Sequence, residues 1–356
     1  MAAMDKALKL CIMGKRMKNM LFPLLSPFRE VTGLQGLTGI PPRQLIVPVY
    51  HAVSDQLPLH LKGLYFLRNR AQFIREMDSL LRHWQPLTLD ELISGIQKGG
   101  FSKPSFHLTL DDGLREISEI IAPVLLQKGI PATLFVNPSF VGNRDLFYRF
   151  KAQILVNLEK GFSPSLKVEL VEYCRKVNIF RHSLLDSLQC ISYNNRHHLD
   201  ALAAITGMDY SHYLERQRPY LTEDELKGLV NEGFTVGGHS MDHPLLSNLA
   251  ADDMIRQAVE SVRYARHTFS QLYGAFAFPF TDDGMGMDFF DNLSARYGDM
   301  VNITFGTAGV KKERISWHIQ RITPENFNLP LEGVIYAECL YYLMKAPFGK
   351  NWINRP

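Results

Sequence analysis

Phe106-His107-Leu108-Thr109-Leu110-Asp111-Asp112-Gly113 decides the fold. Apolar Phe106, Leu108 and Leu110 alternate with His107 and Thr109, the pattern of a half-buried strand, and Asp-Asp-Gly is the turn that leaves it. Two adjacent carboxylates at a strand end repel each other unless a cation or a proton separates their roles. A bare Asp-Asp-Gly is ordinarily a solvated turn. This one has a counterpart in Phe234-Thr235-Val236-Gly237-Gly238-His239-Ser240-Met241-Asp242-His243, a second strand that ends in ligand-bearing side chains.

Around these two stretches, strand and helix patterns alternate. Leu45-Ile46-Val47-Pro48-Val49-Tyr50-His51 reads as an apolar strand ending in a histidine, and a helical spacing follows around Arg70–Arg82. Ala132–Val136, Phe234–Val236, Ala275–Phe280 and Met300–Phe305 read as further strands, and Ile315–Ile322 closes the series. Thr222-Glu223-Asp224-Glu225 is a capping box, and a long helix is expected over Asp252–Tyr273. Repeated β–α alternation implies parallel strands, and polar groups gathered at strand ends are the mark of a barrel that uses its C-terminal face. Residues 144–219 break the alternation with amphipathic helical patterns. They read as a helical insertion beside the site, with a job in substrate selection.

With 356 residues, the chain can bury one large α/β domain with an insertion. A hydrophobic fraction of 46% is that of an ordinary globular protein, and a net charge of +3 is too small for a nucleic-acid surface. Cys11, Cys174, Cys190 and Cys339 are scattered without a Cys-x-x-Cys pair, so reduced thiols are expected rather than a zinc knuckle or a disulfide framework. Residues 1–44 form a separate extension. There Lys6, Lys9, Lys15, Arg16 and Lys18 interleave with Leu8, Leu10, Ile12, Met13, Met17 and Met20. This suits a basic amphipathic helix on an anionic membrane, a helix packed on the domain, or a frayed terminus. The run from Met20 to Phe28 is broken by prolines and lacks a small-residue cleavage site, and no run is long enough to span a bilayer. A cytoplasmic location follows as the expectation, with peripheral membrane contact through the extension. The sequence carries no signal for an oligomeric state.

His239 and His243 stand four residues apart, but Pro244 disfavours a helix there, and Ser240 occupies the place where a zinc protease needs Glu. Two imidazoles and one carboxylate, Asp112, make a three-ligand set with open positions, suited to one Zn²⁺ and tolerant of Co²⁺ or Ni²⁺. Asp111 would then stand beside the cation as an ionised carboxylate able to take the proton of an attacking water. Among the histidines, His51 ends a strongly apolar strand and should emerge on the same face, where it could serve as a general acid. The other reading of His51 is a histidine that caps its strand and bonds the backbone.

Thr109-Leu110-Asp111-Asp112-Gly113 and His239-Ser240-Met241-Asp242-His243 together resemble the two metal motifs of the polysaccharide deacetylases, the NodB-homology enzymes. Pro131–Val136 is similar to the strand that follows the first motif, and the likeness covers about residues 45–143 and 220–325. The resemblance implies a distorted (β/α)7-type barrel of class α/β and metal-dependent deacetylation of an N-acetylated glycan or glycolipid. It also implies Asp111 as base, with Asp112, His239 and His243 holding the metal. Val49-Tyr50-His51 resembles the family's last motif moved to the first strand, as in its circularly permuted branch. Adjacent first and last strands would keep the geometry.

The resemblance has gaps. The family's Arg-x-Pro-Tyr/Phe appears as Ala277-Phe278-Pro279-Phe280, so the arginine that steadies the catalytic aspartate is missing, although the Phe280 N–H could still serve an oxyanion. The fourth motif is not recognisable around Trp317. Thr281-Asp282-Asp283-Gly284 echoes the first motif but follows Pro279-Phe280 directly, and it reads as a polar rim loop. A barrel over 45–325, the insertion 144–219 and a C-terminal helix and tail over 326–356 complete the layout. The leading function is deacetylation of a sugar acetamide in carbohydrate or cell-envelope metabolism. The alternatives are a catalytically silent carbohydrate-binding barrel and an O-acetyl esterase.

Overall fold

The computed structural model describes residues 17–28 and 44–356. The basic run up to Arg16, and residues 29–43, lie outside the described residues. The strands are β1 (Leu45–Ile46), β2 (Val49–Tyr50), β3 (Gln85–Pro86), β4 (Ser105–Phe106), β5 (Leu108–Leu110), β6 (Ala132–Val136), β7 (Thr235–Gly238), β8 (Ala275–Ala277), β9 (Ile303–Gly306) and β10 (His318–Gln320). Seven form one parallel sheet in the order β10-β9-β8-β7-β6-β5-β2, and β1, β4 and β3 form a small parallel sheet. The residues of β5 and β6 are buried throughout, as strands covered on both faces must be.

The large sheet curls until its ends meet. Val49 N–H donates to the Ile322 carbonyl at 2.9 Å, and Ile322 N–H donates to the Val47 carbonyl at 2.9 Å. This bridge at Pro48 sets the first strand beside the chain leaving β10. Every strand of this sheet therefore opens its C-terminal end onto one face, as the alternating pattern implies.

Helices cover the outside, and their starts are chemically specified. Asn69/Gln72, Thr88/Glu91 and Thr222/Glu225 are reciprocal capping boxes for Arg70–His83, Leu89–Gln97 and Glu223–Asn231, each cap worth about 1 kcal/mol. Pro123 sits in the first turn of Ala122–Lys128, after a single wide turn at Ile117–Ile121. The long helix ends earlier than its periodicity suggests, at Ala251–Thr268. It lies directly on β7, because a Cβ on Gly238 would come within 2.5 Å of Ser261 Oγ and 2.6 Å of the Val262 nitrogen. Gly237-Gly238 is thus a packing requirement that sets the strand carrying His239.

The stretch from Tyr148 to Gln217 contains helices and no strand. Phe150, Ile154, Leu155, Leu170, Cys174, Leu199 and Leu202 form a core of its own, joined to the barrel through Leu61, Leu114 and Tyr220. The C-terminal apolar helix, Leu331–Lys345, packs on Arg70–His83, and residues 17–25 form a helix packed against it. No helix among the described residues is long and apolar enough to cross a membrane.

Candidate metal and catalytic site

Asp111, Asp112, His239 and His243 converge at the C-terminal ends of β5 and β7. All are nearly inaccessible to solvent. Asp112 (φ 70°), Ser240 (φ 63°), His243 (φ 60°) and Phe280 (φ 59°) all adopt left-handed backbone, a conformation that costs non-glycine residues energy and concentrates at functional sites. The turn after Asp112 requires glycine: Gly113 has φ 63°, and a Cβ there would sit 3.0 Å from Val136 Cγ1.

His239 Nδ1 lies 2.9 Å from the Ala277 carbonyl, which can only accept, so this nitrogen carries the proton and Nε2 keeps its lone pair. Burial, more than the opposing Asp111 charge can offset, pulls the His239 pKa down to about 4, so the ring is neutral and available as a ligand. The Asn137 side-chain amide donates to the His239 and Ser240 carbonyls, and Ser240 Oγ accepts from the His243 N–H at 3.0 Å. The Met241-Asp242 loop is tied down by Gln257 and by Tyr193, whose hydroxyl donates to Asp242.

Asp112 supplies the sharpest sign of a cation. Neither of its carboxylate oxygens has a hydrogen-bond partner, though both are buried. An ionised carboxylate left so is costly by several kcal/mol. Burial would raise its pKa, yet His243, then His51 and His239, hold it well below the ordinary carboxylate value. Asp112 Oδ1 lies 3.3 Å from His243 Nε2 and 3.7 Å from His239 Nε2. A tetrahedral ion with bonds of about 2.0–2.2 Å spaces its ligands about 3.3–3.6 Å apart, so the cluster fits one. These three residues could hold a divalent metal.

Asp111 is fixed differently, and its partner is absent from the sequence reading. Arg321, wholly buried, grips it bidentately, Nη1 to Oδ1 at 2.7 Å and Nη2 to Oδ2 at 2.9 Å. Its Nε donates to the Gly306 carbonyl at 3.1 Å. The arginine missing before Phe278 is thus replaced by one that leaves β10. Burial would raise the Asp111 carboxyl, but Arg321 and then His239 keep it below its ordinary value and ionised. Arg321→Met should lower stability by about 3–5 kcal/mol, because it strands a buried charge. Denaturant melts would measure this, and an unchanged midpoint would contradict the pairing.

Four residues on, the same segment supplies Glu325, also unforeseen. His51 Nδ1 lies 2.6 Å from Glu325 Oε2, which also accepts from the His51 N–H at 2.9 Å. The His51 ring stacks on Tyr65 at 4.3 Å. Burial opposes the charged imidazole, but Glu325, then Asp112 and Asp111, raise its pKa to about 9. His51 is therefore an imidazolium near neutral pH, close enough to both aspartates to feel them.

The walls are aromatic. Phe147 and Phe280 flank His243 with ring centroids 4.2 and 4.6 Å away, and Tyr148 approaches Phe280. Phe147 and Tyr148 open the helical insertion, so that segment lines the site instead of lying only beside it. The Phe280 N–H makes no hydrogen bond among the described residues, and its side chain is 43% exposed at the mouth.

Asp282, His318 and His107 have structural roles. Asp282, expected on a polar rim, is buried. Its Oδ2 accepts from Arg355 at 2.8 Å, Gln320 at 2.9 Å and His318 at 3.0 Å, and its Oδ1 accepts from the Thr307 N–H at 3.0 Å. Arg355, shared with Glu313, already supplies the positive charge that a metal would bring there. His107, at the break between β4 and β5, bonds the Leu87 carbonyl and the Thr133 hydroxyl.

No family model matches the sequence, and no curated protein matches it. Solved structures do. IcaB from Ammonifex degensii superposes with a TM-score of 0.51 at 15% identity, over 83% of this chain and 97% of its own. The Streptococcus pyogenes deacetylase PplD, in complex with acetate, gives 0.51 at 14% identity over 83% and 97%. The chain therefore has the curled α/β barrel fold of the polysaccharide deacetylases.

Proposed function

We propose that this protein is a metal-dependent deacetylase that hydrolyses the acetamide of an N-acetylated sugar, in a glycan or glycolipid, to a free amine and acetate. The observation that carries the reading is the buried, unpartnered Asp112 carboxylate, between two histidine Nε2 atoms and beside an Arg321-clamped Asp111. The deacetylase PplD, solved with acetate, supports acetate as the product by its likeness of fold. Asp112, His239 and His243 would hold the metal, with Zn²⁺ first and Co²⁺ or Ni²⁺ as substitutes. When bound, it supplies Lewis-acid polarisation of the acetyl carbonyl and lowers the pKa of water.

The chain's own groups account for the protons. Asp111, kept ionised and oriented by Arg321, takes one proton from the attacking water as the new C–O bond forms. The Phe280 N–H is free to donate to the developing oxyanion. His51, charged through Glu325, donates its proton to the leaving nitrogen as the C–N bond breaks, since an amide anion is too poor a leaving group. The silent-barrel alternative rests on the missing arginine and the unrecognised fourth motif, and the Arg321 grip on Asp111 speaks against the first of these.

Incubation of metal-loaded protein with a panel of N-acetylated glycans should release acetate and free amine in equal amounts. On glycans that also carry O-acetyl groups, acetate without amine would identify an esterase. Neither product from metal-loaded protein would identify a silent binding barrel. The His239→Ala, His243→Ala double variant should lose metal while keeping its fold, as read by metal analysis and circular dichroism. Stoichiometric metal in that variant would refute the ligand set.

A further inference from the structure

Away from the strand-end site, the helix at 17–25 seats Phe22 on the C-terminal helix. The Phe22 ring stacks on Phe327 at 4.7 Å and meets Tyr341 edge-on at 6.1 Å. Lys18, Phe22 and, in part, Leu21 and Leu25 are covered by this packing. The opposite face leaves Met17, Met20 and Leu24 in solvent, 42%, 72% and 68% exposed. Their spacing is that of one helical stripe, apolar and, among the described residues, unpartnered.

Beside this stripe lies a cavity of about 370 Å³, into which Met17 and Trp352 also reach. Lys18, Lys311, Lys345 and Lys350 line it around Tyr341 and Tyr342, and no carboxylate does among the described residues. The Lys345 ammonium lies 4.1 Å from the Tyr341 ring centroid, and Lys311 lies 6.0 Å from that of Tyr342. Lys18 alone has an ion-pair partner among the described residues, Glu338, at 2.5 Å. Burial, reinforced by the charges of Lys18 and Lys345, pulls the Lys311 ammonium below its ordinary pKa. Lys311, Lys345 and Lys350, without an ion-pair partner among the described residues and crowded beside the Glu338-paired Lys18, make a place for an anion.

We infer that this surface docks on an anionic phospholipid bilayer, with a headgroup phosphate in the lysine-lined cavity and Met17, Met20 and Leu24 in the interface. A soluble phosphate would satisfy the lysines but give the apolar stripe nothing to bury. A lipid surface satisfies both, and lysine with aromatic and aliphatic side chains is the composition of interfacial segments. Phe348, 74% exposed between Lys345 and Lys350, extends the same chemistry. Lys311 follows β9 on the strand-end face, so docking would bring that face toward the membrane.

The test is co-sedimentation of the full chain with vesicles of phosphatidylcholine alone or mixed with phosphatidylserine. Binding is expected only to the mixed vesicles and should weaken with salt. Lys345→Glu with Lys350→Glu should lower partitioning by about tenfold or more, and so should Met20→Ser with Leu24→Ser. All four side chains lie outside the strand-end site, so acetate release from a soluble substrate should be unchanged. Equal partitioning to both vesicle types, or none, would overturn the inference. Full binding by both double variants would place the contact elsewhere and also overturn it. So would competition by inorganic phosphate with no effect of the Met20 and Leu24 changes, which would mark a soluble-anion site. The assay needs neither metal nor substrate, so its failure and that of the deacetylase reading are distinguishable.

Discussion

Asp111→Asn is expected to keep the divalent ion at parental stoichiometry while turnover falls by about 10²–10⁴-fold, the range supplied by a general base. An amide oxygen cannot take a proton from water near neutral pH, whereas the metal cluster, Asp112, His239 and His243, is untouched by the change. The amide can still accept one arm of Arg321 but turns its own NH₂ toward the other, so some loss of stability should accompany the loss of rate. Stability and metal content must therefore be measured with turnover. A variant that is folded, metal-loaded and as fast as the parent would remove Asp111 from the base role. The pH dependence gives a second test. Against the effect of burial, Arg321 holds the Asp111 carboxyl low. The base is thus ionised above that lowered value, and activity should fall only at acid pH. In Arg321→Met the carboxyl rises, and the acid limb should move to higher pH. By the same sign, the pair's contribution to stability is present above the unfolded carboxylate value and lost as pH falls through the lowered folded one.

The candidate metal cluster was legible because its members are local. Asp111-Asp112-Gly113 and His239-x-x-x-His243 each carry two or more functional groups within one strand end, and the β–α pattern sets both ends on one face. Arg321 and Glu325 offered no such spacing. Their partners are 210 and 274 residues away in the chain, and they meet only because β10 closes against the first strand. A signal existed nonetheless: Gln320-Arg321-Ile322 sets a full charge in the closing strand pattern, which packs in a barrel wall, where arginine stays only if paired. The Thr281-Asp282-Asp283-Gly284 echo shows the converse. Its local chemistry imitates the first motif, but the arginine that occupies it comes from the second-last residue of the chain. No reading of its neighbours could have found that.

His51→Ala is expected to lower turnover by about 10²–10⁴-fold at unchanged metal content and to abolish the basic limb of the pH–rate profile. Burial disfavours the imidazolium, yet Glu325 at 2.6 Å, then Asp112 and Asp111, raise its pKa to about 9. A divalent ion on Asp112 would offset the aspartates, so the basic limb should lie at or below about 9. An acid must be protonated to work, so activity falls as pH rises through that value. The same raised value gives stability that is complete below the unfolded histidine pKa of about 6.5 and is lost as pH rises toward about 9. Glu325→Gln separates the acid role from a merely capping one. Glutamine keeps an oxygen for the His51 backbone N–H but removes the charge that holds the ring protonated. An acid role then predicts a basic limb shifted to lower pH with the metal retained. A histidine that only caps β2 predicts an unaltered profile in both variants, and that result would assign the leaving-group proton to another residue or to water.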